Sequence, residues 1–196
     1  EWQQGRVGFS GPVWDIAAAD GWLWISNGGA VVRRSSDDGQ TWQATTVNAT
    51  ANVNALAFVS AQNGWAVGGG GAILASTDGG VSFSSQSSGV SDDLWAVTML
   101  NDVYGWAAGA NGHIVRTSDG GQTWGQQSST ITATIRSLSF VNANEGWAVA
   151  EDGSILHYAP LVTTPTATAA PTTPTATPLA THTPTATPTP SATPSP

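Results

Sequence analysis

Three aspartates recur at a fixed spacing, and a carboxylate can serve as a general acid, a general base or a metal ligand. Asp37, Asp78 and Asp119 stand 41 residues apart, each within the pattern S/T-x-D-x-G-x-S/T-aromatic. A feature repeated in every unit is typical of the stabilising parts of a repeat protein. We therefore predict three structural turns. Their residues are Ser35, Asp37, Gly39 and Trp42; Ser76, Asp78, Gly80 and Phe83; and Thr117, Asp119, Gly121 and Trp124.

The other reactive residue types form no recognisable catalytic or metal-binding pattern. The three histidines lack metal-ligand spacing, and there is no cysteine. The glycine run at 68–71 precedes a predicted strand rather than a helix, so it is not a phosphate-binding loop. The acidic pairs at 92–93 and 151–152 supply too few oxygens for calcium on their own. We predict no metal and no cofactor.

The charge balance also excludes a class of partner. The chain of 196 residues has 13 acidic and 5 basic residues, a net charge of −8. Binding to a nucleic acid backbone requires basic surface, so we predict no nucleic acid partner. No apolar run approaches the roughly 20 residues of a membrane-spanning helix, so we also predict no transmembrane segment.

The composition changes at Pro160, because ten of the eleven prolines lie at or after this position. Residues 161–196 consist largely of Thr, Pro and Ala and contain no aromatic or charged side chain other than His182. Such a segment cannot build a core, and it resembles an extended linker or an O-glycosylated stalk. We therefore predict a folded domain at 1–160 and a disordered tail at 161–196, with the protein extracellular or at the cell surface.

The elements that position the aspartates follow from the same repeat. Trp24, Trp65, Trp106 and Trp147 also stand 41 residues apart, three of them in the context GWA. Around each lie period-2 apolar runs and Gly-rich turns, which predict four short strands per repeat. Four strands every 40 residues or so indicate a β-propeller. The sequence therefore predicts an all-β propeller of four repeats.

The two ends of the repeat region suggest how the ring closes. Trp2 precedes Val13 by 11 residues, the same spacing that separates Trp42 from Val53. The first residues therefore resemble the last strand of a repeat, whereas the final repeat stops after its third strand. The N-terminal strand can complete that blade in a closed ring of four, or the chain can be part of a larger propeller.

The aspartate motifs resemble the Asp-box, or bacterial neuraminidase (BNR) repeat. With GWAVG and TSDGGQTW, residues 1–160 resemble the photosystem II assembly and stability factors and their non-photosynthetic bacterial relatives. The resemblance implies a propeller and, in photosynthetic members, an arginine patch that docks a membrane-protein subunit. Here Arg34 and Arg116 occupy the matching positions, but Ala75 and His157 replace the arginine in two repeats. Solvated side chains on the strands are then the more economical interpretation.

Asp-box proteins include sialidases, and the resemblance allows that activity to be tested. A sialidase needs an arginine triad, a tyrosine nucleophile paired with a glutamate, and an acid/base aspartate. Tyr104 falls in a predicted turn and Tyr158 at the end of the last strand, so they are not expected to share a cleft. We predict that the chain is not an enzyme.

The start of the first strand varies most between repeats and is the candidate ligand site. Trp14, Asn54, Trp95 and Arg136 occupy it, and the turns of the same rim add His113, Glu151 and Asp152. Aromatic and arginine side chains are typical of recognition surfaces, although the tryptophans can equally pack between blades. We predict a binding or assembly scaffold with a protein or glycan ligand. The alternatives are a lectin-like or sialidase-like glycan module and a fragment of a larger repeat protein.

Overall fold

The computed structural model describes residues 11–47 and 52–159. Within these ranges the regular structure is β-strand, apart from short 3-10 turns at Gly69–Gly71 and Ala110–Gly112. The all-β prediction is confirmed. The predicted N-terminal strand around Trp2 and the Thr/Pro-rich tail lie outside the described residues, so the closing strand and the domain boundary remain predictions.

Each repeat forms one sheet, here called a blade, in which consecutive strands are antiparallel neighbours. Blades 1 and 2 have four strands each. These strands are β1 (Asp15–Ala19), β2 (Trp22–Ser26), β3 (Val31–Ser35) and β4 (Gln43–Thr46) in blade 1, and β5 (Val53–Phe58), β6 (Gly64–Gly68), β7 (Ile73–Ser76) and β8 (Ser84–Gln86) in blade 2.

Blade 3 repeats this pattern, whereas blade 4 has three strands in the described part of the chain. Blade 3 contains β9 (Leu94–Met99), β10 (Gly105–Gly109), β11 (Ile114–Thr117) and β12 (Gly125–Gln127); blade 4 contains β13 (Ile135–Asn142), β14 (Glu145–Ala150) and β15 (Ile155–Tyr158). The predicted strand order within each repeat is confirmed. No helix in the described ranges is long and apolar enough to span a membrane.

Successive blades pack through their first strands, here called inner strands: β1 against β5, β5 against β9, and β9 against β13. The repeated tryptophan fills each junction. Trp24 is buried and stacks on Phe58 of the next blade, with ring centroids 3.8 Å apart. Trp106 stacks in the same way on Phe140, at 3.7 Å. The 41-residue spacing of tryptophan therefore records the packing of one blade on the next.

A glycine lies directly under each covering side chain. A Cβ atom at Gly64 would collide with the ring of Phe58, and one at Gly146 would collide with Phe140. The two members of each pair face each other across neighbouring strands. Blade 1 reverses the sizes, because Ala18 there faces Leu23. The large member of this cross-strand pair therefore lies on the inner strand in blades 2 and 4, and on the second strand in blade 1.

The three aspartate motifs form the hairpins that follow the third strand of blades 1 to 3, and we call them Asp turns. In blade 2, Ser76 Oγ donates to Asp78 Oδ1 at 2.8 Å and accepts from Gly80 N at 2.8 Å. Ser82 donates its backbone N–H and its hydroxyl to the same carboxylate, at 2.9 and 2.6 Å. Asp37 and Asp119 make matching bonds in their own turns.

These hydrogen bonds hold the carboxylates in the ionised form. The hydroxyl of Ser82, together with its backbone N–H, lowers the pKa of Asp78 to about 2. Thr41 lowers the pKa of Asp37 to about 2 in the same way, and Thr123 lowers that of Asp119. A carboxylate with so low a pKa is a poor proton donor near neutral pH. The carboxylate of each aspartate therefore accepts its hydrogen bonds from groups of its own turn.

Candidate binding site at the axial opening

A cavity of about 270 Å³ opens between the inner strands of the four blades. It is lined by Trp14 and Asp15 of blade 1, residues 54–56 of blade 2, residues 95–97 of blade 3 and residues 136–138 of blade 4. We call this cavity the axial opening. All four blades contribute to it, so it exists only once the blades have packed together.

The four variable residues predicted as a site occupy one equivalent position. Each lies three residues before the inner-strand residue that pairs with the repeated tryptophan. These pairs are Ala17 with Trp24, Ala57 with Trp65, Thr98 with Trp106, and Ser139 with Trp147. Trp14, Asn54, Trp95 and Arg136 therefore form one ring level.

Two of these residues form an aromatic pair between blades that are not neighbours. The indoles of Trp14 and Trp95 stack with centroids 6.0 Å apart and an interplanar angle of 25°. Trp14 is 46% exposed. Exposed tryptophan offers a large contact area and an N–H donor to a ligand.

Arg136 extends the aromatic pair with a positive charge. Its guanidinium carbon lies 4.3 Å from the centroid of the Trp95 ring, within cation–π distance. Arg136 Nε also donates to Glu151 Oε1 at 2.7 Å, and Nη2 contacts the same oxygen. Because this ion pair is exposed, it contributes little stability and mainly fixes the direction of the guanidinium. Trp14, Trp95, Arg136 and Glu151 thus form one continuous surface.

Asn54 has a different role. Its side chain is buried, and Nδ2 donates to the carbonyl oxygen of Leu94 at 2.8 Å, which links blade 2 to blade 3. A buried amide that satisfies a carbonyl is costly to redirect toward a ligand. Asn54 lines the opening, but its donor is already used.

Asp15 is a residue of the opening that the sequence analysis missed. Its Oδ2 accepts from the backbone N–H of Leu56 in blade 2 at 2.7 Å, and Oδ1 accepts from Ile16 N at 2.8 Å. Burial raises the pKa of Asp15, although both hydrogen bonds act in the opposite direction. The sequence contained a signal for this residue, because Asp15 is charged whereas its register-equivalent residues in the other blades are uncharged. Those residues are Ala55, Ala96 and Ser137.

The predicted residues of the turns divide into different places. Glu151 joins the opening through Arg136. His113 lies in a separate depression lined also by Gln126 and Ser129; its Nε2 is 3.0 Å from Asp92 Oδ2. Asp152 Oδ1 accepts from Ser154 N at 2.9 Å within its own turn, which lowers the pKa of Asp152. The structure therefore does not bring His113 and Asp152 into the axial opening.

The described residues contain no cluster of His, Asp and Glu that could hold a metal ion. The tyrosines considered for nucleophilic chemistry lie in the blade packing: Arg116 sits over the ring of Tyr104 at 5.8 Å, and Tyr158 packs edge-on to Trp106 at 6.1 Å. Neither tyrosine lines the axial opening.

A family model described as photosynthesis system II assembly factor YCF48 matches residues 82–159. The chain is a BNR propeller that resembles this assembly-factor family. Among solved structures, YCF48 from Cyanidioschyzon merolae superposes with a TM-score of 0.67 at 19% identity, covering 77% of this chain and 52% of that one. YCF48 bound to D1 peptide superposes with a TM-score of 0.62 at 25% identity, covering 76% and 51%.

An ancestral GH74 enzyme has the same fold, with a TM-score of 0.64 at 19% identity over 80% of this chain and 24% of that one. The present chain spans about half the length of the two solved YCF48 structures. No curated protein matches it.

The match to the YCF48 family model covers only part of the axial opening, although the superpositions on solved structures cover more of the chain. The matched residues 82–159 include Trp95, Arg136 and Glu151, whereas Trp14 and Asn54 precede them. The part of the opening formed by blades 3 and 4 therefore lies within the family-model match, whereas Trp14, the aromatic partner of Trp95, lies outside that match.

The two arginines at the positions of the assembly-factor patch are half-buried and packed. Arg34 lies over the ring of Trp22 at 5.3 Å, and its Nη1 donates to the carbonyl oxygen of Gly79 at 3.1 Å. Arg116 lies over Trp106 at 5.6 Å. The interpretation of both as solvated side chains was therefore incomplete, because their planar groups also pack on indoles.

Proposed function

We propose that this chain is a non-catalytic binding or assembly scaffold whose axial opening binds an exposed segment of a partner protein. The observation that carries the proposal is the stacked pair of Trp14 and Trp95 beside the Arg136–Glu151 ion pair. Aromatic and arginine side chains dominate the energetics of protein recognition. A solved YCF48 structure with a bound D1 peptide supports a peptide as the class of ligand.

The chemistry of the opening favours a peptide over a purely apolar ligand. The indoles supply apolar area, while Arg136 and Glu151 supply a donor and an acceptor at the same edge. A backbone segment with alternating apolar and polar groups can satisfy both kinds of contact. The alternative of a glycan ligand rests on the same tryptophans, because sugar rings also pack on indoles.

The proposal includes export to the cell surface or beyond, which rests on the Thr- and Pro-rich composition of residues 161–196. Fractionation of the source cells tests it: we expect the protein in the surface or culture fraction. Recovery with the cytoplasmic proteins would contradict this part of the proposal.

A selection from a random peptide library, followed by calorimetry with one selected peptide, tests the binding role. We expect Trp95→Ala to weaken that peptide by at least tenfold, or about 1.4 kcal/mol. Val103→Ala is the matched control, because Val103 is 42% exposed and lies outside the opening. Equal loss in both variants would place the ligand elsewhere, and binding on a glycan array without peptide binding would favour the carbohydrate alternative.

A further inference from the structure

We propose that two copies of this chain form an eight-bladed ring, in which blade 4 of each copy packs against blade 1 of the other. The occupant of the exposed face of blade 4 is thus a second copy of the same chain. The inference concerns assembly and does not rest on the ligand proposed above, but in such a ring the inner strands of both copies would line the axial opening.

The repeated tryptophan gives the first evidence. Trp24, Trp65 and Trp106 are 0%, 4% and 0% exposed because the following blade covers them. Trp147, at the same position of blade 4, is 37% exposed. The repeated tryptophan is therefore covered at the three junctions within the chain, but it is only partly covered in blade 4.

The neighbouring side chains of blade 4 follow the same rule. Val149 is 42% exposed and Ile155 is 72% exposed, whereas their equivalents in blade 2, Val67 and Ile73, are each 1% exposed. Val149 and Ile155 face each other across β14 and β15. Together with Trp147 they form a contiguous apolar face, which on a protein surface indicates an interaction site.

Blade 1 presents the complementary surface. Ile16 is 60% exposed, whereas Leu56, its equivalent in blade 2, is 5% exposed and packs in the core cluster with Trp24. Val13 is 44% exposed, and its equivalent Val53 is 1% exposed. In blades 2 to 4 the inner strand packs against the preceding blade. The corresponding face of the inner strand of blade 1 is exposed in the described residues. Its apolar residues match the chemistry of the blade 4 face.

The two faces do not satisfy each other within one chain. Inner strands of consecutive blades pack extensively, but among the described residues β1 and β13 form no such contact. A face that fits a different face generates a closed ring when the rotation closes. Two copies make this junction twice around a twofold axis and give eight blades, within the usual size range of propellers.

Size-exclusion chromatography with light scattering tests the proposal on the 196-residue chain of 19.9 kDa. At about 50 μM, above the micromolar Kd of a weak specific interface, we expect twice that mass. Ile155→Asp and Ile16→Lys are each expected to give a monomer. Val81→Asp, at a 52% exposed residue of the blade 2 Asp turn, is the matched control and should remain dimeric.

Mixing the two monomeric variants provides the sharpest test. The mixed ring has one unaltered junction and one junction in which the Ile16→Lys and Ile155→Asp substitutions bring opposite charges together, so we expect the dimer to return. A monomeric wild-type chain at this concentration would overturn the proposal. Dissociation by Ile155→Asp but not by Ile16→Lys would also overturn it, because two blade 4 faces would then meet. Circular dichroism of each variant verifies the fold, and the wild-type mass decides the matter if a variant unfolds.

Discussion

The indole N–H of Trp24 donates a hydrogen bond of 2.9 Å to the carbonyl oxygen of Gly79, 55 positions along the chain. Gly79 belongs to the Asp turn of blade 2, and Arg34 of blade 1 donates to the same oxygen. The Asp turn therefore shapes its own hairpin and also receives two donors from the preceding blade. This contact connects the sequence motif to the stacking of blades.

Replacing Trp24 with Phe tests that link. The change keeps an aromatic ring against Phe58 but removes the N–H, so we expect a loss of about 1–2 kcal/mol in the free energy of unfolding, measured in urea. Trp42→Phe is the control, because Trp42 donates only to Gly39 within its own turn. Equal losses would show that the contact between blades adds nothing beyond a local bond.

The cross-strand pair of Phe58 and Gly64 predicts a compensating double variant. Gly64→Leu alone should cost more than about 3 kcal/mol, because the new side chain overlaps the Phe58 ring. Adding Phe58→Ala reproduces the Ala18–Leu23 pair of blade 1 and should recover part of that loss. Additive losses in thermal or urea unfolding would mean that the two positions do not share one space.

The Asp turn of blade 2 should make stability depend on acid pH. The pKa of Asp78 is lowered to about 2 in the folded chain, against an ordinary value of 3.8. Stability from its ionised form is therefore present above about pH 4 and is lost as the pH falls toward 2. Ser82→Ala removes the hydroxyl that lowers the pKa most, so the carboxyl should titrate closer to its ordinary value by NMR. Ser84→Ala, outside the turn, should leave the titration unchanged.

Asp15 should titrate in the opposite direction. Burial raises its folded pKa, so its contribution to stability is greatest below the ordinary value and declines as the pH rises through the folded value. In a carboxyl NMR titration we expect Asp15 to lose its proton at a higher pH than Asp78. A peptide bound at the axial opening should raise the pKa of Asp15 further, because it excludes water. A titration below that of Asp78 would contradict this assignment.

Much of the fold was predictable because it is local. Each strand needs only alternating apolar residues and a turn residue within a few positions, and these recur in the sequence at 41-residue intervals. Trp14 precedes Asn54 by 40 residues rather than 41, and the cause of this one-residue offset is also local. Asp20 and Gly21 have positive φ angles of 48° and 79° and make a two-residue hairpin loop, shorter by one residue than the equivalent turn of blade 2. This places Trp14, rather than Val13, level with Asn54.

The composition of the opening depended on contacts between blades. The sequence placed Trp14, Asn54, Trp95 and Arg136 at one level, but it did not show that Asn54 bonds Leu94. Nor did it show that Asp15 reaches Leu56, or that His113 turns toward Asp92. Each of these contacts joins side chains whose relative positions depend on loop length and on the packing of whole sheets.

The sequence by itself determined the blades, since period-2 strands, Asp turns and the repeated tryptophan are all specified within about 41 residues. Only the tertiary structure decided which polar side chains remain free at the axial opening and which apolar faces remain uncovered. Those properties depend on what each blade finds beside it. A local pattern specifies a surface, and packing determines whether that surface is buried.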